Sequence, residues 1–197
     1  MKIAGIILAG GLSSRMGQDK ATLLLEQKTL LTRNVSLLSA LNLSGIFVSG
    51  DYQGFQCIKD IHPSLGPIGG LQACVETLFE DHDAIFVLPV DMPLLTKNEC
   101  LTLLQQFKQF HQGVFYQQAT FPMILALTEQ LKSYLAEVVN SSENKHRSLY
   151  RLIKTVKLQP INYQLENNFR FQNSNTPQEW ADCLETFKAL NETKDQS

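Results

Sequence analysis

No two cysteines in this chain stand in C-x-x-C spacing. The four present, Cys57, Cys74, Cys100 and Cys183, are scattered along the sequence, a pattern that supports neither a zinc centre nor a disulfide framework. Reduced thiols packed in the core of a cytosolic protein are the expectation. Excess charge is lacking too: the net charge is −2 over 197 residues. Nothing global draws the chain to nucleic acid or to an anionic membrane, so any site for a polyphosphate has to be positive locally. No apolar run approaches the length of a membrane span. The N-terminal apolar stretch runs into glycines instead of a cleavage site, so no signal peptide is expected and the location expected is cytoplasmic. His62, His82, His111 and His146 show no ligand spacing, and no Ser-His-Asp pattern can be argued.

Against these absences stands a glycine-rich segment. The run Ile3 to Leu8 is followed by Ala9-Gly10-Gly11-Leu12-Ser13-Ser14-Arg15-Met16-Gly17-Gln18-Asp19-Lys20. Glycines let backbone N–H groups turn toward an anion, and Arg15 and Lys20 add the positive charge that a triphosphate requires. A Walker A loop needs G-x-x-x-x-G-K-[ST], which the spacing does not match. The dinucleotide fingerprint G-x-G-x-x-G is absent as well.

The apolar fraction of 44% supplies a sizeable core, and the length suits one α/β domain over residues 1–190. The polar stretch from Asn191 to Ser197 is expected to be a disordered tail. Buried strands are predicted at Lys2 to Leu8 and Ala84 to Leu88, a short strand at Ile46 to Val48, a weaker extended piece at Gln56 to Lys59, and further strands at Gly113 to Tyr116, Met123 to Leu127, Val156 to Ile161 and Phe169 to Phe171. Helical spacing appears over Leu30 to Leu41, Gly69 to Glu80, Thr96 to Phe110, Thr128 to Val139 and Arg147 to Ile153. Thr176, Pro177 and Glu179 supply an N-cap, an N1 proline and a capping-box acid for a last helix to Leu190. Strands alternating with helices imply a mostly parallel sheet covered on both faces, with a ligand at the carboxyl ends of its strands.

Three further segments can carry chemistry, the first of them at such a strand end. Val87-Leu88-Pro89-Val90-Asp91-Met92-Pro93 carries an aspartate out of a buried strand, the kind of oxygen donor that Mg²⁺ takes alongside substrate phosphates. Gly66-Pro67-Ile68-Gly69-Gly70 opens a helix, whose N-terminus attracts anions. Phe171-Gln172-Asn173-Ser174-Asn175 places two asparagines before the last helix cap.

The pattern L-A-G-G-x-S-x-R-M-G-x-D-K resembles the signature loop of the nucleotidyltransferases, and most of all that of the molybdenum cofactor guanylyltransferases. The other segments resemble that family's P-x-D-x-P, G-P-x-x-G and F-x-N-x-N-T-P-E-E stretches, so the likeness spans nearly the whole chain. It implies an α/β, three-layer Rossmann-like fold with a mostly parallel mixed sheet. It implies transfer of GMP from GTP to molybdopterin or the molybdenum cofactor, with Mg²⁺ held by Asp91. Candidate catalytic residues are then Arg15, Lys20 and Asp91. Nucleotide binding falls to Leu8, Ala9, Gly10, Gly11, Lys20, Ser49, Asp60, Gly66, Pro67, Gly70 and Asp91, and acceptor binding to Arg147, Asn173 and Asn175. Transient contact with proteins that supply and receive the cofactor is implied as well. Two departures touch the pocket. Ser49 stands where many relatives have asparagine, and Phe121 precedes Pro122 where relatives often carry histidine. Two other readings stay open: a related enzyme using CTP or a sugar-phosphate acceptor, and a non-catalytic nucleotide-binding partner of cofactor enzymes.

Overall fold

A computed structural model describes residues 1–10, 16–62, 64–143 and 147–195. The strands are β1 (Ile3–Leu8), β2 (Leu24–Leu25), β3 (Lys28–Thr29), β4 (Gly45–Ser49), β5 (Cys57–Ile58), β6 (Ala84–Pro89), β7 (Gly113–Tyr116), β8 (Met123–Ala126) and β9 (Gln159–Ile161). The helices are α1 (Leu30–Ser39), α2 (Pro67–Leu78), α3 (Lys97–Phe107), α4 (Glu129–Asn140), α5 (Leu149–Thr155) and α6 (Pro177–Asp195). Seven strands form one sheet in the order β5-β4-β1-β6-β8-β7-β9. Only β8 runs against its neighbours; the other pairings are parallel. This is the mostly parallel mixed sheet that the alternation of strands and helices predicts.

The central strands β1 and β6 are nearly continuous apolar runs, as strands buried on both faces must be. Ala4, Ile6 and Ile7 of β1 and Ala84 through Leu88 of β6 are fully enclosed. Helices α1 and α2 both pack against β1 and β4, on opposite faces: in β1 the position of Gly5 faces Leu38 of α1, and Leu8, on the other side of the strand, lies against Gly70 of α2. Helix α2 also lies against α4. That placement explains why Ile68 through Val75 are all buried: a helix between a sheet and a second helix is apolar all round.

Register sets up the site. Leu8 pairs with Ser49 on one side and with Pro89 on the other. The strands β4, β1 and β6 therefore end level, and the three chains that leave them start from one row. From β1 the chain passes outward to β4 and β5, and through α2 it returns across β1 to β6. The order reverses there, at the place where open α/β sheets bind ligands.

Some local expectations are revised. The segment around Phe169 to Phe171 is not a strand but part of a 3₁₀ helix, Leu165–Phe171. Its last residue, Phe171, is buried against two tyrosine rings, with Tyr163 stacked on it at 4.0 Å and Tyr116 tilted at 4.7 Å. The strand predicted from Val156 begins only at Gln159, because Lys157 turns the chain at φ 55°. The hairpin β2–β3 escapes sequence reading. Glu26 and Gln27 take the left-handed turn at φ 51° and 62°, where asparagine or glycine would announce it. Helix α6 runs on past Leu190 to Asp195, so the polar residues expected as a disordered tail are helical that far. Asn191 Nδ2 donates to Glu26 Oε1 at 3.3 Å. Gln196 and Ser197 lie outside the described residues.

Candidate active site

Lys20 follows Asp19, which caps a 3₁₀ turn over Lys20–Thr22 by accepting Ala21 N–H at Oδ1, 2.9 Å away. The turn aims the ammonium across the ends of β1 and β6. Lys20 Nζ donates to Asp91 Oδ2 at 2.8 Å and to Asn175 Oδ1 at 2.5 Å. The Lys20 and Asp91 side chains are each only 16% exposed, so the pair is sheltered without being sealed from water.

The backbone of Asp91 is fixed on several sides. Val90 N–H donates to Leu8 O at 3.0 Å, which continues the β1–β6 ladder past Pro89. Buried Asn34 of α1 donates from Nδ2 to Val90 O at 3.2 Å. Ser174 N–H donates to Asp91 O at 2.9 Å. Asn175 is held in turn by Glu179, whose Oε2 accepts from the N–H groups of Asn175 and Thr176 at 2.7 and 2.9 Å. Thr176 Oγ1 accepts from Glu179 N–H at 3.2 Å, so the predicted cap of the last helix is in place. The three polar groups thus meet through anchored backbone.

The same row of strand ends opens a cavity of about 160 Å³. Its walls come from β1 and its exit (Leu8, Ala9, Gly10), from Ser49 at the end of β4, and from Asp60 beyond β5. The start of α2 adds Gly66, Pro67 and Gly70, and the far wall is Lys20, Pro89, Val90, Asp91 and Phe121. Ten of the predicted nucleotide-binding residues lie in this one lining. Ser49 Oγ donates to Asp60 Oδ1 at 3.2 Å. That contact needs glycine at 70, since a Cβ there would come within 2.5 Å of Ser49 Oγ. The open end of α2 turns its positive dipole toward the cavity.

A second cavity, about 430 Å³, lies on the far side of the Lys20 contact. Asn173, Asn175, Glu179 and Leu94 are among its walls. Lys20 and Asp91 face the first cavity and Asn175 the second, so their contact stands between the two. Pro89 and Val90, which the sequence offers only as neighbours of Asp91, join the lining, and Phe121 lies in it as the departure noted there. Arg147 is placed elsewhere: its Nη2 donates to Ser141 O, 2.6 Å away, at the C-terminal end of α4. Gly11 and Arg15 lie outside the described residues.

Among the described residues, no group of three or more His, Cys, Asp or Glu side chains is arranged to hold a metal. The hard oxygens near the Lys20 ammonium are those of Asp91 and Asn175. Such a donor set fits Mg²⁺ when substrate phosphates and water complete its shell.

Comparison with known proteins follows the same lines. A family model described as "MobA-like NTP transferase domain" matches residues 5–160. A molybdenum cofactor guanylyltransferase from Xanthomonas euvesicatoria pv. vesicatoria is 34% identical over 177 residues, covering 90% of this chain and 92% of that one. Molybdopterin-guanine dinucleotide biosynthesis protein A from Archaeoglobus fulgidus shares the fold at a TM-score of 0.69 and 19% identity, with 96% of this chain and 100% of that chain covered. A Mycobacterium tuberculosis protein in complex with manganese shares it at a TM-score of 0.65 and 12% identity, with 94% and 99% covered. The chain belongs to the MobA-like NTP transferase domain family.

Proposed function

We propose that the chain transfers GMP from GTP to the terminal phosphate of molybdopterin, or of its molybdenum-loaded form, and releases pyrophosphate. The observation that carries this reading is the Lys20–Asp91–Asn175 contact between two cavities. GTP takes the cavity lined by Gly10, Ser49 and Asp60, and the acceptor takes the side of Asn173 and Asn175. The names of the guanylyltransferase relatives support the choice of substrates.

The acceptor phosphate oxygen attacks the α-phosphorus in line, and the bond to the departing pyrophosphate breaks. The nucleophile is already an anion, so no strong general base is needed. The barrier falls through positioning and charge neutralisation. Lys20 spreads its charge over the triphosphate and the leaving group. Asp91 would hold Mg²⁺, with substrate phosphates and water completing its shell, and the ion when bound supplies further neutralisation of phosphate charge. The manganese complex of a protein with the same fold is consistent with use of a divalent ion. Asp60 and Ser49, joined by their hydrogen bond, present acceptors to the N1–H and exocyclic amine of guanine.

The test is pyrophosphate release with GTP, Mg²⁺ and molybdopterin, run beside CTP and ATP. Turnover with GTP alone among the three is the expected result. Equal turnover with CTP would move the chain to the cytidylyl-transferring reading. Nucleotide binding without pyrophosphate release would leave a non-catalytic partner.

A further inference from the structure

Tyr52 lies outside both cavity linings, yet its hydroxyl reaches the two ends of the glycine-rich segment. The phenol oxygen is 3.0 Å from Ala9 O, where β1 ends, and 3.0 Å from Asp19 Oδ2, just before Lys20. One proton thus serves two acceptors, one at each end of the segment. Burial, and then the Asp19 carboxylate, push the phenol pKa up, so the hydroxyl keeps that proton at any physiological pH.

The ring is itself held. Tyr52 N–H donates to Cys57 Sγ at 3.3 Å, and the Cys57 thiol donates back to Tyr52 O at 3.2 Å. Cys57 belongs to β5, so the tyrosine is tied to the sheet. Gly50 makes room: it stands at φ 145°, and a Cβ there would come within 2.7 Å of Tyr52 Cε2. From the tyrosine the contacts run to Asp19, whose other oxygen caps the turn that presents Lys20. The next contacts in the series are those of Lys20 with Asp91 and Asn175.

We infer that Tyr52 is a positioning residue for nucleotide transfer. It ties Ala9 to Asp19 and so fixes the turn from which Lys20 reaches the triphosphate. The inference rests on the nucleotide-binding reading above. Tyr52 touches no reacting atom and acts through Asp19 and Lys20.

The test uses the full-length protein and its Tyr52→Phe variant, which keeps the ring and removes only the hydroxyl. Losing the hydrogen bond to a carboxylate should weaken Mg²⁺–GTP binding by about tenfold. In a Lys20→Ala background the same change should add less than about twofold, because the residues act in series. Amide hydrogen exchange in the free protein gives a readout that needs no ligand: Ala21 should exchange at least about threefold faster in Tyr52→Phe. A lower thermal midpoint with unchanged GTP affinity would mark a merely structural tyrosine and overturn the inference. So would equal loss in the two backgrounds, or unchanged exchange at Ala21. If the parent protein binds none of GTP, CTP and ATP, the nucleotide-site reading falls and this inference falls with it. Binding by the parent, with Tyr52→Phe indistinguishable from it, overturns the inference alone.

Discussion

Asp91→Asn separates the two things that the Lys20–Asp91 contact does. At 2.8 Å the gross attraction is about 6 kcal/mol for an effective dielectric near 20. Little of it is net folding energy. The carboxylate also loses hydration in the site, and each side chain keeps 16% of its exposure to water. Asparagine is nearly isosteric, and its amide oxygen still accepts a hydrogen bond from Lys20. The stability loss should be about 1 kcal/mol, which for a chain of this size lowers the thermal midpoint by about 2–4 °C. Turnover should fall much further, by at least ~10²-fold, because the variant lacks the charge that would hold Mg²⁺ against the phosphates. Pyrophosphate release across a Mg²⁺ titration, with thermal melts of both proteins, gives the two numbers. Near-normal turnover with unchanged metal dependence would refute Asp91 as the metal residue. A melt lowered by more than about 10 °C would show that the pair is chiefly a structural element.

Asn175→Ala should impair use of the acceptor more than GTP binding, since Asn175 faces the second cavity. Thr176→Ala should cost mainly about 1 kcal/mol of stability through the lost cap. Equal losses of GTP affinity and acceptor use in Asn175→Ala would contradict that division. GTP should bind at least about tenfold more tightly than CTP or ATP at equal Mg²⁺, as competition titration will report. Gly10→Ala should fold normally and narrow this preference: its Cβ would sit 3.4 Å from Ser49 O and 3.8 Å from Asp60 Oδ2, where the base is expected. Gly70→Ala should weaken GTP binding more than Gly10→Ala does, because Ser49 must swing away and release Asp60. Equal affinities in the two variants would count against the Ser49–Asp60 pair. Burial pushes the thiols of Cys74 and Cys100 from 9.0 up to about 12. The stability they contribute is complete below pH 9 and is lost as pH rises from there toward 12, since the unfolded chain gives up these protons first. Denaturant midpoints that stay flat from pH 8.5 to 11 would contradict this.

Much of the frame was readable because its signals are local. The apolar runs of β1 and β6 and the caps at Thr96, Thr128 and Thr176 each declare themselves within a few residues. The positions lining the first cavity were legible chiefly through likeness to a family pattern, and they meet in space because loops that leave parallel strands share one edge. Other features depend on distant partners. Phe169-Arg170-Phe171 alternates like a strand, but ring stacking against Tyr163 and Tyr116 decides its conformation. The turn at Glu26 and Gln27 has no turn-forming residue to betray it. Tyr52 is one of two aromatic residues in the otherwise polar loop between β4 and β5, and nothing around it in sequence points to Ala9 or Asp19. Arg147 reads as a phosphate ligand only by likeness to a family pattern, and among its contacts here is the carbonyl of Ser141 after α4.

Lys20 meets Asp91 across 71 residues of chain and Asn175 across 155. The family model ends at residue 160, before Asn175. A ribosome making this protein therefore adds every strand of the sheet before the third group of the contact exists. A shortened chain that stops after β9 would carry the full sheet and still leave Lys20 with Asp91 alone. Ser174, which anchors the Asp91 carbonyl, arrives equally late. Synthesis thus closes the junction between the two cavities last.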